Sequence, residues 1–267
     1  MELWRVGVAG ATGRMGRMVI RALQDAPDLE FGAALSRQGA RAVGTSATAF
    51  LNWATDVEID DDIERALDKI DCLIDFSAPD ATCHYLEPCL RHGTAMVIGT
   101  TGQDAETLAK IQAASAHIPI VHAANLSPTV SVMARMLEMA AALLRDYDVE
   151  IVESHNRSKV DAPSGSALWF SEVVAAARGY PRGDIVVYGR DAQAGPRKQG
   201  TIGIASVRGG NLVSEHTALL IGDLERIEIR HICDDRAVYA HGSLQAARFL
   251  RNRKAGLYSV ADIAVSA

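Results

Sequence analysis

The sequence predicts an α/β fold, with an N-terminal doubly wound parallel sheet followed by a second domain of α+β character. Three observations carry this. A β-α-β unit opens the chain, a glycine-rich turn joins its first strand to its helix, and strand–helix alternation persists to about residue 125 before the rhythm changes.

Trp4-Arg-Val-Gly-Val-Ala-Gly10 reads as a buried strand ending in glycine. Met15, Val19, Ile20 and Leu23 then fall on one helical face, closed by Asp25-Ala-Pro-Asp28, and Leu29–Leu35 is the second strand. Ile70–Asp75, Ala95–Ile98 and Ile118–His122 read as further strands, with helices expected over Ala81–His92 and Asp104–His117. Such alternation is the signature of a parallel sheet covered on both faces. A long Met- and Ala-rich helix is expected over Val130–Arg145, then a strand over Val149–Glu153 and a helix over Ser166–Arg178. Gly200–Ala205, Asn211–Leu220 and Arg226–Ile232 read as strands, with Gly209-Gly210 as a hairpin turn. Ala246–Leu250 and Gly256–Ile263 read as helical and suited to pack back onto the first domain. The expected organisation is a dinucleotide-binding domain over 1–125, completed by 237–267, and a substrate domain over 126–236.

Composition narrows the function. The 267 residues can bury a core without staples, and a net charge of -6 argues against nucleic acid as partner. Cys72, Cys83, Cys89 and Cys233 form no C-x-x-C pair and read as reduced thiols. Neither a basic-then-apolar leader nor a run of the roughly 20 apolar residues that a membrane span needs is visible, so a cytoplasmic protein without a membrane partner is expected. The eight histidines show no ligand spacing, so no metal is expected.

Gly10-Ala-Thr-Gly13-Arg-Met-Gly16 lies where the first strand turns into the first helix. Glycine there lets backbone approach a pyrophosphate, and the helix N-terminus favours its charge, which makes this a Rossmann-type nucleotide site. The second strand ends in Ser36-Arg37 without a carboxylate, with Arg41 beyond, so NADPH is expected in preference to NADH. Asp75-Phe-Ser77 and Gly99-Thr100-Thr101-Gly102 end two more strands at the same edge.

The chemical stretch is Glu153-Ser-His155-Asn-Arg-Ser-Lys159-Val-Asp-Ala-Pro-Ser164-Gly165-Ser166. His155 can donate a proton near neutral pH, and Lys159 offers a compact positive charge. The turn at Ser164, Gly165 and Ser166 opens a helix whose N–H groups suit a carboxylate. The plainer readings are a structural histidine and a simple N-cap.

At these residues the chain resembles the dihydrodipicolinate reductase family. The likeness runs through Gly10–Gly16, Asp75-Phe-Ser77, Gly99–Gly102, Ala123-Ala-Asn125, Lys159-Val-Asp-Ala-Pro-Ser-Gly165, Gly209–Thr217 and Ala255–Tyr258. The resemblance implies a homotetramer whose central domain carries both substrate binding and tetramerisation. It implies hydride transfer from NAD(P)H to 4-hydroxy-tetrahydrodipicolinate, a small anionic dicarboxylate of the lysine and diaminopimelate route. It makes His155 the proton donor and Lys159 the second donor, with Asn156, Ser164, Gly165 and Ser166 around the substrate. The matching cofactor contacts are Gly10, Ala11, Thr12, Gly13, Arg14, Met15, Arg37, Gly99, Thr100, Thr101, Ala123, Ala124, Asn125 and Leu126. Asn156 stands where the family has a second histidine, Ser166 where it has threonine, Ser36 where it has an acidic residue and Leu126 where it has phenylalanine. Pro128-Thr129-Val130-Ser131 also departs from the family pattern. Two other readings are a paralogue reducing a related cyclic imine or dicarboxylate, and a non-catalytic NADP(H)-binding sensor.

Overall fold

The fold is described from a computed structural model, which defines residues 3–180 and 185–265. The chain forms two compact units, one built from the segment ending at Ser127 together with the segment from Ala237 onward, the other from Pro128–Arg236.

The first unit contains β1 (Trp4–Ala9), α1 (Arg14–Gln24), β2 (Leu29–Leu35), β3 (Ile59–Asp60), α2 (Ile63–Leu67), β4 (Cys72–Asp75) and α3 (Pro79–His92). It continues with β5 (Ala95–Ile98), α4 (Ala105–Ala114) and β6 (Pro119–His122). The second unit holds α5 (Pro128–Leu143), β7 (Asp148–His155), α6 (Gly165–Arg178), β8 (Val186–Tyr188), β9 (Ile202–Arg208), β10 (Ser214–Ile221) and β11 (Arg226–Cys233). The chain then returns to the first unit with α7 (Ala237–Leu250), β12 (Gly256–Tyr258) and α8 (Val260–Val265).

In the first unit seven parallel strands lie in the order β12-β6-β5-β4-β1-β2-β3. The 3-2-1-4-5-6 run is the doubly wound dinucleotide order, whose crossover reverses between β1 and β4. Both faces are covered. Val6, Val8, Ile74, Val97 and Val121 pack under α1 and α7, through Val19, Ile20, Leu23, Leu244 and Leu250. Leu35, Leu73, Met96, Ile98 and Ile120 pack against α2, α3 and α4, through Ile63, Leu86, Cys89 and Ile111. This two-sided burial explains why the central strands are runs of Val, Ile and Leu rather than alternating patterns.

The second unit is a mixed sheet in the order β11-β10-β7-β9-β8, with α5 and α6 on one face. β7 alternates cleanly, with Val149, Ile151, Glu153 and His155 buried on one side. Its neighbours keep register: Glu153 stands beside Ser206 on β9 and beside His216 on β10, which in turn stands opposite His231 on β11. One sheet face therefore has two halves. Val149, Ile151, Ile202, Ile204, Ala218, Leu220 and Ile229 form its apolar core, and Glu153, His155, His216 and His231 continue the same rows in polar chemistry.

Three expectations need correction. Gly209-Gly210 does not turn a hairpin, because β7 lies between β9 and β10 and pairs with both. Gly256–Tyr258 is not helical but adds a seventh strand beside β6; three residues are too few to display a period. The last long helix starts at Ala237 rather than Ala246. Among the described residues no helix is long and apolar enough to cross a membrane.

Candidate active site

The nucleotide end of the first unit is shaped by close approach. Gly10 has φ +74, and a Cβ there would run into the Phe76 carbonyl. A Cβ on Gly16 would strike the Gly10 carbonyl, so α1 can begin directly against the loop. α1 starts at Gly13 with no side-chain cap and no acidic residue in its first turn. Its first N–H groups have no acceptor within the helix, and its dipole favours an anion. Arg14 is exposed on that turn, and the Arg17 guanidinium stacks 5.2 Å over the Phe50 ring.

Around this loop, Ala11 donates its N–H to the Leu35 carbonyl at 3.0 Å and Gly13 to Gly10 at 2.9 Å. The Thr12 hydroxyl lies 3.4 Å from that of Ser36, which is buried, while Arg37 is exposed just beyond. The carboxylate bonded to this turn, Asp61, accepts from the Gly39 N–H at 2.8 Å. Gly99 packs so tightly on the Phe76 ring and the Leu126 side chain that no Cβ fits. Thr100 is buried with its hydroxyl on the Asp75 carbonyl at 3.3 Å, and Thr101 is exposed. Asn125 accepts from the Ser127 N–H at 2.9 Å, with Ala123 and Ala124 on the same connection. The β1, β4, β5 and β6 loops thus gather Gly10, Phe76, Gly99 and Leu126 at the carboxyl ends of the strands, where such sheets bind ligands. This glycine cradle and uncapped helix start fit a dinucleotide pyrophosphate.

The second unit holds the stretch from Glu153 to Ser166. Glu153 is fully buried at the polar end of β7. Its Oε2 accepts from His155 Nδ1 at 2.5 Å and from Arg208 at 2.8 Å. Its Oε1 accepts from Arg208 at 2.7 Å and from the Ser164 N–H at 3.2 Å. Burial alone would raise the Glu153 pKa, yet hydrogen bonds from Arg208, Ser206 and His155 outweigh it and hold the group near about 2. The carboxylate is therefore ionised and acceptor-only, which makes His155 Nδ1 the donor. Burial pushes the His155 pKa down; Glu153 opposes this, while the positive charges of Lys159 and Arg208 add to it.

Ser164 is the N-cap of α6. Its hydroxyl accepts from the Ala167 N–H at 3.3 Å and lies 3.3 Å from His216 Nε2. His216 meets His155 edge-on, with ring centroids 5.4 Å apart, and burial pushes its pKa down to about 3. No acidic residue stands in the first turn of α6; Gly165 is exposed there, and Ser166 is buried. The Lys159 ammonium is held by the Asp161 carboxylate at 2.8 and 2.9 Å. Asn156 is half-buried and uses Oδ1 to accept from the Ser158 N–H and hydroxyl, at 3.1 and 2.6 Å.

His155, Lys159, Ser164, Gly165 and Ser166 thus come from the end of β7, the loop after it and the start of α6. Sequence reasoning missed Glu153, Arg208 and His216 as parts of the site. Glu153 was findable, because a residue two before His155 on a strand shares its face. Arg208 lies 55 residues from Glu153 and reaches it only through the β7–β9 pairing. Among the described residues no cluster suits a metal ion, and none of the four cysteines is in a disulfide.

Comparison with known proteins gives a consistent answer. Residues 4–126 match the family described as dihydrodipicolinate reductase, N-terminus, and residues 129–264 its C-terminus. The 4-hydroxy-tetrahydrodipicolinate reductase of Herminiimonas arsenicoxydans is 46% identical over 264 residues, covering 98% of both chains. The enzyme of that name from Burkholderia mallei (strain SAVP1) is equally similar, at 46% over 264 residues and the same coverage. A dipicolinate-bound dihydrodipicolinate reductase from Paenisporosarcina sp. TG-14 shares the fold with a TM-score of 0.77 at 24% identity, covering 97% of this chain and 98% of that one. The chain belongs to the dihydrodipicolinate reductase family, the reductases of lysine and diaminopimelate biosynthesis.

Proposed function

We propose that the protein reduces 4-hydroxy-tetrahydrodipicolinate with NADPH in preference to NADH, using His155 as proton donor and Lys159 as electrostatic partner. The observation that carries this reading is the convergence of His155, Lys159 and the first turn of α6 at the polar end of one sheet face. The first turn of α6, at Gly165 and Ser166, binds a substrate carboxylate through its N–H groups and dipole. Asn156 adds its amide NH2 to the same anion.

When bound, the nucleotide supplies the hydride. Gly10–Met15 would hold its pyrophosphate, Gly99–Thr101 and Ala123–Leu126 would line the same site, and Arg37 would supply a positive charge for a ribose 2′-phosphate. Reduction of a conjugated imine leaves negative charge on the substrate. His155 neutralises it by protonation, and the Lys159 field stabilises it beforehand. Burial favours neutral His155 in the free protein, but a dianion arriving beside it raises its proton affinity. The protein acts in the cytoplasm as a homotetramer. Support for assembly comes from the sheet face opposite α5 and α6, which carries Val152, Leu219, Val207 and Ile232, the last two 46% and 47% exposed.

The test is NADPH oxidation by purified protein with freshly generated 4-hydroxy-tetrahydrodipicolinate. His155→Gln should lower turnover by about 10²–10⁴ if His155 is the acid. Near-normal turnover in His155→Gln would remove it from that role. NADPH binding without turnover on this substrate would favour a related cyclic imine, a reading for which Asn156 is the motive.

A further inference from the structure

The Glu153 carboxylate is shared by two parts of the site, and it is the ionised group that hydrogen-bonds to both. One oxygen receives His155 Nδ1 and the other receives the backbone N–H of Ser164, the residue just before Gly165 and Ser166. Arg208 fastens both oxygens at once, with its guanidinium 2.8 and 2.7 Å away. Arg208 is itself tied to the Asp161 carbonyl at 2.7 Å, within the segment that carries Lys159. The group is fully buried, so no water replaces any of these partners without local opening.

We propose that Glu153 is the positioning residue of the reaction: with Arg208 behind it, it fixes the tautomer and acidity of His155 and sets its distance from the carboxylate-binding turn of α6. The inference rests on the reading of His155 as proton donor.

The chemistry follows from the acceptor-only character of the carboxylate. With Nδ1–H directed to Glu153, the proton delivered to the substrate must be the one on Nε2, and the ring cannot rotate without losing a buried ionic bond. The negative charge also stabilises the imidazolium from which that proton leaves. The other charged and titratable groups around His155 are Lys159 and its partner Asp161 in the loop after β7, Arg208 on β9, His216 on β10, and His231 behind His216 on β11. Glu153 is the negative group bonded directly to the ring. Lys159 and Arg208 act on His155 in the opposite sense.

Glu153→Gln tests this because it keeps the shape and removes the charge. A glutamine offers one acceptor end where two are used, so either its NH2 opposes Nδ1–H or, turned over, it leaves the Ser164 N–H without an acceptor; in both orientations the negative charge beside the ring is gone. The limb of kcat/KM that reports His155 should move to lower pH in Glu153→Gln, with kcat/KM at neutral pH at least about tenfold lower. Arg208→Gln should move the same limb to higher pH, because it removes a positive charge and leaves the carboxylate. Loss of structure alone does not produce shifts of opposite sign. Nitrogen-15 NMR of histidine-labelled wild-type protein, assigned with His155→Gln, should show His155 protonated at Nδ1 above its pKa. A neutral His155 protonated at Nε2 would overturn the proposal, whether or not Glu153→Gln folds. So would a His155 limb that stays in place in Glu153→Gln, or that moves the same way in both variants. If His155→Gln itself leaves turnover intact, the proton-donor reading fails instead, and the NMR result still reports whether Glu153 holds the ring.

Discussion

Asn156 and Arg37 are the single side chains at which the proposed substrate and nucleotide contacts are most directly tested. The Asn156 oxygen is engaged by Ser158, forming an Asx-type turn that carries the chain toward Lys159, whose own N–H reaches the Asn156 carbonyl at 3.2 Å. Only the amide NH2 is left to face an anion. Asn156→Ala removes the acceptor and loosens the lysine loop. A lost net hydrogen bond of about 1 kcal/mol should raise the substrate KM about fivefold. Ser158→Ala keeps the backbone half of the turn and should cost less; steady-state kinetics on both variants decides. At the nucleotide end, Arg37 is exposed beyond a buried Ser36 and has no ion-pair partner among the described residues. A charged hydrogen bond to a 2′-phosphate is worth about 1.5–3 kcal/mol. Arg37→Ala should therefore weaken NADPH binding by about tenfold or more and leave NADH within about twofold, as read by nucleotide titration.

At the scale of elements, α5 and α6 finish each other's ends. The buried Arg178 guanidinium donates to the Ala141 carbonyl in the last turn of α5 and to the Leu144 and Tyr147 carbonyls just after it, and Arg145 donates to the carbonyls of Ala177 and Arg178 at the end of α6. Four terminal carbonyls of any helix lack an internal donor, and here two arginines supply it. Arg178→Leu leaves buried carbonyls unsatisfied and should destabilise the protein by about 3 kcal/mol in denaturant unfolding. The sequence made α5 and α6 legible because each repeats an apolar face over four turns. It also made β1, β2, β4, β5 and β6 legible, because buried parallel strands are short runs of Val, Ile and Leu between glycine turns. β3, α2 and β8 went unread, being two, five and three residues long. The misread hairpin has a different cause: Gly209-Gly210 is a fair turn signal, but pairing order is decided by β7, more than fifty residues earlier. The site was legible where its residues are contiguous, from His155 to Ser166, and illegible where Arg208 and His216 arrive through sheet register.

For the molecule as a whole, the second unit concentrates groups whose folded state resists protonation. Burial holds His216 neutral with its pKa near about 3, and burial also pushes His155 and His231 below their usual value. For each of these histidines the unfolded chain binds a proton at about pH 6.5 that the folded chain refuses. Their contribution is therefore complete above that pH and is lost as pH falls, by up to about 1.4 kcal/mol per pH unit for each group. Glu153 adds to the same trend lower down: its folded pKa of about 2 lies below the ordinary glutamate value of about 4.5, so its contribution is lost as pH falls below about 4.5. In the first unit burial pushes His122 down as well. Acid should therefore weaken the second unit first, beginning below about pH 6.5 and steepening below about 4.5. Trp169 reports on that unit, and Trp4 and Trp53 report on the other. His216→Gln removes the most depressed of the histidines while keeping a polar partner for Ser164. Whatever its stability at pH 8, its loss of stability between pH 6.5 and 4.5 should be shallower than that of the wild type. An unchanged slope would mean that the buried histidines are not what makes the second unit sensitive to acid.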